Sequence, residues 1–170
     1  MTEQEQQHIF DQWLHQYKAL FFKVVRAYAF TEMDQDDLFQ EITIQIWYSI
    51  PSFRKESSAS TWLYRIAFNT AIKWLQKERK HRNARETIDS VEHVLRDSGM
   101  PMDDRLVWLY EEISNFNAVD RSVILLLLEG LSYKEMAVIL GITESNVGVK
   151  INRIKKNLAN KTKKTKTYGI

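Results

Sequence analysis

The sequence contains no cysteine. Disulfide stapling, thiolate metal sites and cysteine nucleophiles are therefore excluded, and the composition is compatible with a reducing compartment. Proline occurs twice and glycine five times in 170 residues, so turn punctuation is sparse and helices are favoured over many short strands. The longest apolar run, Val123 to Leu128, is far short of the ~20 residues a membrane-spanning helix needs. The opening MTEQEQQH lacks the basic-then-apolar pattern of a secretory signal. His8, His15, His81 and His93 show no metal-ligand spacing, and no Ser/His/Asp or phosphate-loop motif is present. These absences argue against an enzyme and predict a soluble, internal, all-α protein with no cofactor and no small-molecule substrate.

What the sequence does have is charge in blocks. Hydrophobic residues at 44% and charged residues at 27% are ordinary for a globular chain, and the formal net charge is only +2. Taken in segments, residues 1–50 carry −5, 51–85 carry +7, 86–130 carry −7 and 131–170 carry +7. Two basic blocks parted by an acidic one suggest two separate surfaces for a polyanion, with nucleic acid the first candidate.

Apolar residues at Phe10, Trp13, Leu14, Tyr17, Phe21, Val24, Val25 and Tyr28 recur at helical spacing. A second helix is predicted to begin at the acidic cluster Asp34, Asp36 and Asp37 and to stop before Pro51. Capping accounts for these carboxylates better than a cation site does. A polar loop, PSFRKESSAS (51–60), precedes a third helix from Thr61 into the basic run ending at Arg82. Residues 86–102, acidic and weakly periodic, read as a flexible linker. Helical spacing then resumes at Leu106 to Phe116 and again from Asp120 to Glu129. The expectation is two small helical domains, 1–85 and 103–163, with a basic tail at 164–170.

The most informative stretch is EGLSYKEMAVILGITESNVGVKINRIKKNL, residues 129–158. Gly130 closes one helix, and Ser132 with Glu135 forms a capping box for the next. Gly141 ends that short helix, and Thr143 caps another with Val147, Ile151, Ile154 and Leu158 inward. Two helices around a tight Gly turn, with polar and basic residues outward on the second, describe a DNA-reading helix-turn-helix. Thr143, Glu144, Ser145 and Asn146 suit base edges, while Lys150, Arg153, Lys155 and Lys156 suit phosphates. Gly148 inside the reading helix is a misfit, unless it permits close approach to DNA.

Residues 60–82 interleave Trp62, Tyr64, Phe68 and Trp74 with Arg65, Lys73, Lys77, Arg79 and Lys80. Aromatics beside cations suit unpaired bases, and the Ser-rich loop before them suits a pocket for one extruded base; equally, aromatics at helical spacing are ordinary core. Leu63, Ile66, Thr70 and Trp74 belong to the core on spacing, leaving Arg65, Asn69, Lys73 and Lys77 outward. On the preceding helix, Asp37, Gln40, Glu41, Ile44 and Tyr48 share an outer face, apolar at its centre and polar at its rim, that suits protein docking.

The runs DQDDLFQEITIQIWYSIPSF, STWLYRIAFNTAIKW and DRSVILLLLEGLSYKEMAVILGITESNVGVKINRIKKNL, in that order, resemble the extracytoplasmic-function (ECF) sigma factors of bacterial RNA polymerase. The resemblance covers nearly the whole chain. It implies sigma domain 2 and sigma domain 4 without a middle domain, acting in the bacterial cytoplasm with core RNA polymerase and promoter DNA. It implies that Asp36, Asp37, Gln40, Glu41, Ile44 and Trp47 dock the clamp of the core enzyme. Phe53, Arg54, Lys55 and Ser60 of the loop, with Trp62, Arg65, Asn69, Lys73 and Lys77 of the helix, are implied to recognise and melt the minus-ten element. Tyr133, Thr143, Glu144, Ser145, Asn146, Lys150 and Arg153 are implied to face the minus-thirty-five element as duplex. It further implies an anti-sigma partner, often membrane-bound in this family. Many relatives carry an acidic residue where Lys73 stands, and a basic or Ser pair where Gly148 and Val149 stand, so promoter preference does not transfer. The competing expectation is a stand-alone helix-turn-helix regulator.

Overall fold

The computed structural model of the chain describes residues 1–82 and 104–167. Among the described residues every regular element is helical: α1 (Glu3–Tyr28), α2 (Glu32–Ser49), a 3-10 turn (Ile50–Ser52), α3 (Ala59–Arg82), α4 (Asp104–Ser114), α5 (Ala118–Leu128), α6 (Tyr133–Leu140) and α7 (Glu144–Thr167).

Local chemistry sets the helix starts. Thr2 and Glu5 form a capping box at α1, each accepting the other's backbone N–H, at 3.2 and 2.7 Å. At α2 the cap is Thr31, whose hydroxyl accepts the Asp34 amide at 3.0 Å. The predicted start at the acidic cluster is thereby corrected: Asp36 and Asp37 lie beyond the first turn and are exposed, because the threonine three residues upstream of Asp34 already satisfies the orphan N–H. Ser58 accepts the Thr61 amide at 3.1 Å, so α3 starts at Ala59 rather than Thr61.

In the N-terminal half, α1, α2 and α3 pack around Phe21, Val24, Tyr28, Leu38, Ile42, Ile46, Leu63 and Phe68. Tyr64 is also buried and stacks on Phe68 at 5.7 Å. These two aromatics are core rather than platforms for bases. Thr70 is buried with them, while Ile66 and Trp74 are half-buried. In the C-terminal half α5 is enclosed from Asp120 to Leu126; its second half, apolar on every side, has to be. Around it lie Ile113, Met136, Ile139, Val147, Ile151 and Ile154.

The two helical halves also pack against each other. Helices α1 and α3 touch α4, α5 and α6. The Tyr28 hydroxyl donates to the Ala118 carbonyl and meets Ser122 Oγ at 2.6 Å, and burial pushes the Tyr28 phenol above its ordinary pKa. Glu129 accepts from Lys23 Nζ and from the Tyr64 hydroxyl, the latter at 3.2 Å. Arg121 crosses the same seam to the Ala27 carbonyl at 3.1 Å. The predicted linker, 86–102, lies outside the described residues. Helix α7 runs on through Thr167, so 164–167 continue the helix instead of forming a separate tail.

Candidate nucleic-acid and partner interfaces

Helix α2 buries Leu38, Ile42 and Ile46 against α1 and α3, which turns Asp36, Asp37, Gln40, Glu41 and Ile44 outward. Gln45 Nε2 donates to the Glu41 carboxylate at 3.1 Å. Tyr48, 73% exposed, stands one turn beyond Ile44 on the same stripe of the helix, so the apolar centre of this face is broader than Ile44 alone. Trp47 is placed differently from the other candidates on this helix. It is half-buried, its ring is edge-on to Phe10 at 5.4 Å, and its carbonyl accepts from Gln6 at 2.8 Å.

The loop between the 3-10 turn and α3 is anchored by an aromatic cluster. Phe53 and Trp62 lie 4.9 Å apart and both meet Trp13 of α1, at 5.2 and 5.6 Å. Lys55 sits in the left-handed region with φ of 59°, a conformation costing a non-glycine residue about 1 kcal/mol. That kink leaves Arg54 and Lys55 exposed beside a cavity of about 310 Å³, walled by Phe53, Ser57, Trp62 and Arg65 and closed on one side by Val138 of α6. Ser60 is half-buried, its hydroxyl 3.0 Å from that of Ser58. Further along α3, Asn69, Lys73 and Lys77 are exposed and share a groove of about 330 Å³ with Glu41 and Gln45 of α2. The predicted docking face and the predicted base-contacting face thus meet along one seam.

The helix-turn-helix forms as its sequence signals require. Ser132 and Glu135 make the capping box of α6, with the Ser132 hydroxyl and amide donating to the Glu135 carboxylate at 2.7 and 2.8 Å. Those hydrogen bonds, the hydroxyl's first, hold the Glu135 pKa below its ordinary value. Gly141 adopts the left-handed conformation at φ 66° and ψ 33°, which only glycine reaches without strain. Thr143 Oγ1 accepts the Asn146 amide at 3.1 Å and opens α7. Thr143, Glu144, Ser145 and Asn146 are all exposed on the first turn, with Lys155 and Lys156 exposed beyond. The Tyr133 ring lies against Gly148, 3.6 Å from where a Cβ would stand.

Lys150 and Arg153 have partners inside the fold. Lys150 Nζ donates to Asp120 Oδ1 at 3.1 Å, and Arg153 Nη2 donates to Asp120 Oδ2. The Asp120 side chain is 3% exposed against 60% for Arg153, so the carboxylate anchors while the guanidinium still borders solvent. Sequence reading missed Asp120 because the pairing spans thirty residues; its one signal is a carboxylate at the start of a helix that becomes wholly apolar from Val123.

Among the described residues there is no cluster of His, Cys, Asp or Glu able to hold a metal ion, and no helix is long and apolar enough to cross a membrane.

Residues 13–81 match the family profile described as Sigma-70 region 2, and residues 106–158 match Sigma-70, region 4. The ECF RNA polymerase sigma-E factor of Haemophilus influenzae is 34% identical over 140 residues, covering 75% of this chain and 74% of that one. The chain belongs to the ECF sigma factors. The sigma-E factor of Escherichia coli K12 is 30% identical over 141 residues, covering 75% of this chain and 73% of its own. As an ECF sigma factor the protein is a transcription initiation factor, directing core RNA polymerase to promoters. The region 2 match takes in most of α1, all of α2, the loop and α3, and the region 4 match runs from α4 through the helix-turn-helix. A regulator built on the helix-turn-helix alone is not favoured, since the first match spans the N-terminal half. The fold agrees with those of two solved structures. RpoE from Bartonella quintana, solved with the anti-sigma factor NepR, gives a TM-score of 0.73 at 20% identity over 91% of this chain and 96% of that one. CnrH, solved with the cytosolic domain of CnrY, gives 0.67 at 21% identity over 92% and 89%.

Proposed function

We propose that this ECF sigma factor divides promoter initiation among three surfaces. The α2 face of Asp36, Asp37, Gln40, Glu41 and Ile44 docks core polymerase, with Trp47 holding that helix against α1 rather than reaching the partner. The loop of Phe53, Arg54, Lys55 and Ser60, with Trp62, Arg65, Asn69, Lys73 and Lys77, captures and opens the minus-ten element. Tyr133, Thr143, Glu144, Ser145 and Asn146 read the minus-thirty-five duplex, and Lys150 and Arg153 support that face from beside Asp120. The observation that carries this reading is the aromatic base of the loop: Phe53 and Trp62, braced on Trp13, stand beside exposed Arg54, Lys55 and Arg65, the pairing of rings and cations that holds an unpaired base. The protein has no catalysis of its own, works in the cytoplasm beside the polymerase, and is restrained by an anti-sigma protein. The last point is supported by RpoE, a fold neighbour solved with the anti-sigma factor NepR.

Run-off transcription with purified core polymerase over genomic promoter fragments tests the assignment. The native chain should direct specific transcripts. Ile44→Arg should lose competition against another sigma factor for core, while Asn146→Ala should bind core normally and lose about 1 to 3 kcal/mol of promoter discrimination. Equal loss of core affinity by both variants would contradict the division of surfaces.

A further inference from the structure

The second turn of α7 presents an apolar side chain in polar surroundings. Val149 is 65% exposed. It lies three residues after Asn146 and four after Ser145, one turn along the same face. A single exposed aliphatic residue is commonplace; what sets this one apart is the arrangement of its neighbours. Position 148 has no side chain, and the Tyr133 ring covers that gap. Lys150, next in sequence, is drawn to Asp120 at 3.1 Å, and Arg153, one turn further, reaches the same carboxylate. At this turn Lys150 is drawn back to a buried acid, its side chain 19% exposed, and a duplex approaching the helix meets a branched aliphatic group beside an amide and a hydroxyl.

In the major groove the base edges offer hydrogen-bond donors and acceptors, with one apolar exception, the 5-methyl group of thymine. Three helical residues advance about 4.5 Å, one to two base steps of about 3.4 Å. We propose that Val149 is a specificity-determining residue, contacting the 5-methyl group of a thymine within two base pairs of the base read by Asn146. The proposal rests on the reading of α7 as the minus-thirty-five interface. It adds an apolar contact that hydrogen-bonding residues at the start of the helix do not supply.

The test uses holoenzyme reconstituted from core polymerase and the full chain, presented with promoter duplexes randomised over the upstream element. Wild type should enrich thymine at one position, within two base pairs of the position whose preference disappears in Asn146→Ala. Val149→Ala should lose the thymine preference there and keep the others, while Val149→Ile should retain it. Replacing that thymine by deoxyuridine removes only the methyl group. It should weaken wild-type binding about fourfold, the worth of one buried methyl, and leave Val149→Ala unaffected. An unchanged thymine preference in Val149→Ala, or indifference of wild type to deoxyuridine, would overturn the proposal. Enrichment of no upstream base at all would instead remove the reading of α7 as a promoter interface, and the proposal with it.

Discussion

Arg121 shows what one buried cation does where, among the described residues, carbonyls rather than a carboxylate hold it. Its guanidinium donates to the carbonyls of Phe116 at 2.9 Å, Ala27 at 3.1 Å and Ser114 at 2.6 Å, and lies 5.6 Å from the Tyr28 and Phe30 ring centres. Burial presses its pKa down, yet three carbonyls and two ring faces hold the charge in place. Two of these are orphan carbonyls at the ends of α1 and α4, and the third, that of Phe116, lies in the turn after α4. Arg121→Ala should therefore lower unfolding stability by about 3 kcal/mol, read as a shift of the urea midpoint at unchanged slope. Arg121→Lys should recover little, since an ammonium cannot span three acceptors as the planar fork does; full recovery would show that charge alone matters. Glu135 works at the surface. Its folded pKa is depressed, so its contribution is present above the ordinary carboxylate range and is lost as pH falls through the folded value. In thermal melts, the advantage of wild type over Glu135→Gln should narrow below about pH 4.

At the scale of elements, legibility followed how local each determinant is. Both ends of α6 and the start of α7 could be read from Ser132, Glu135, Gly141 and Thr143 because each acts within four residues on the chain, and the outward set Thr143 to Asn146 followed from them. The loop's polar character was also legible, but not its aromatic base, since Trp13 joins Phe53 and Trp62 from a different helix. The start of α2 was misplaced because an acidic first turn and a threonine cap are both good helix openings, and spacing does not rank them. The engagement of Lys150 and Arg153 by Asp120 had no local trace. Gly148 has no steric need within the fold: a Cβ there meets Tyr133 at an ordinary 3.6 Å. Gly148→Ala should consequently stabilise the protein by about 0.5 to 1 kcal/mol, seen as a raised melting temperature. A lowered one would mean that the backbone at this turn cannot take a side chain.

Over the whole molecule, the basic blocks inferred from sequence lie in α3 with its loop and in α7, on opposite sides of the acidic stretch in the chain. The fold brings their halves together: Val138, on the helix before the reading helix, walls the cavity beside Trp62 and Arg65. The promoter elements that these surfaces are proposed to read lie roughly 25 base pairs apart, or roughly 85 Å along a duplex at about 3.4 Å per step. A single packed body cannot touch both. Because the native sequence has no cysteine, thiols can be introduced without background at Lys23 and Glu129, which form an ion pair across the seam. The Lys23→Cys, Glu129→Cys protein joined by a short bismaleimide should fail to support run-off transcription, while the unjoined double variant remains active. Equal activity of the joined protein would show that the halves work without parting. The seam is thus a ruler folded shut, and the spacing of the promoter sets how far it has to be opened before both of its ends can measure.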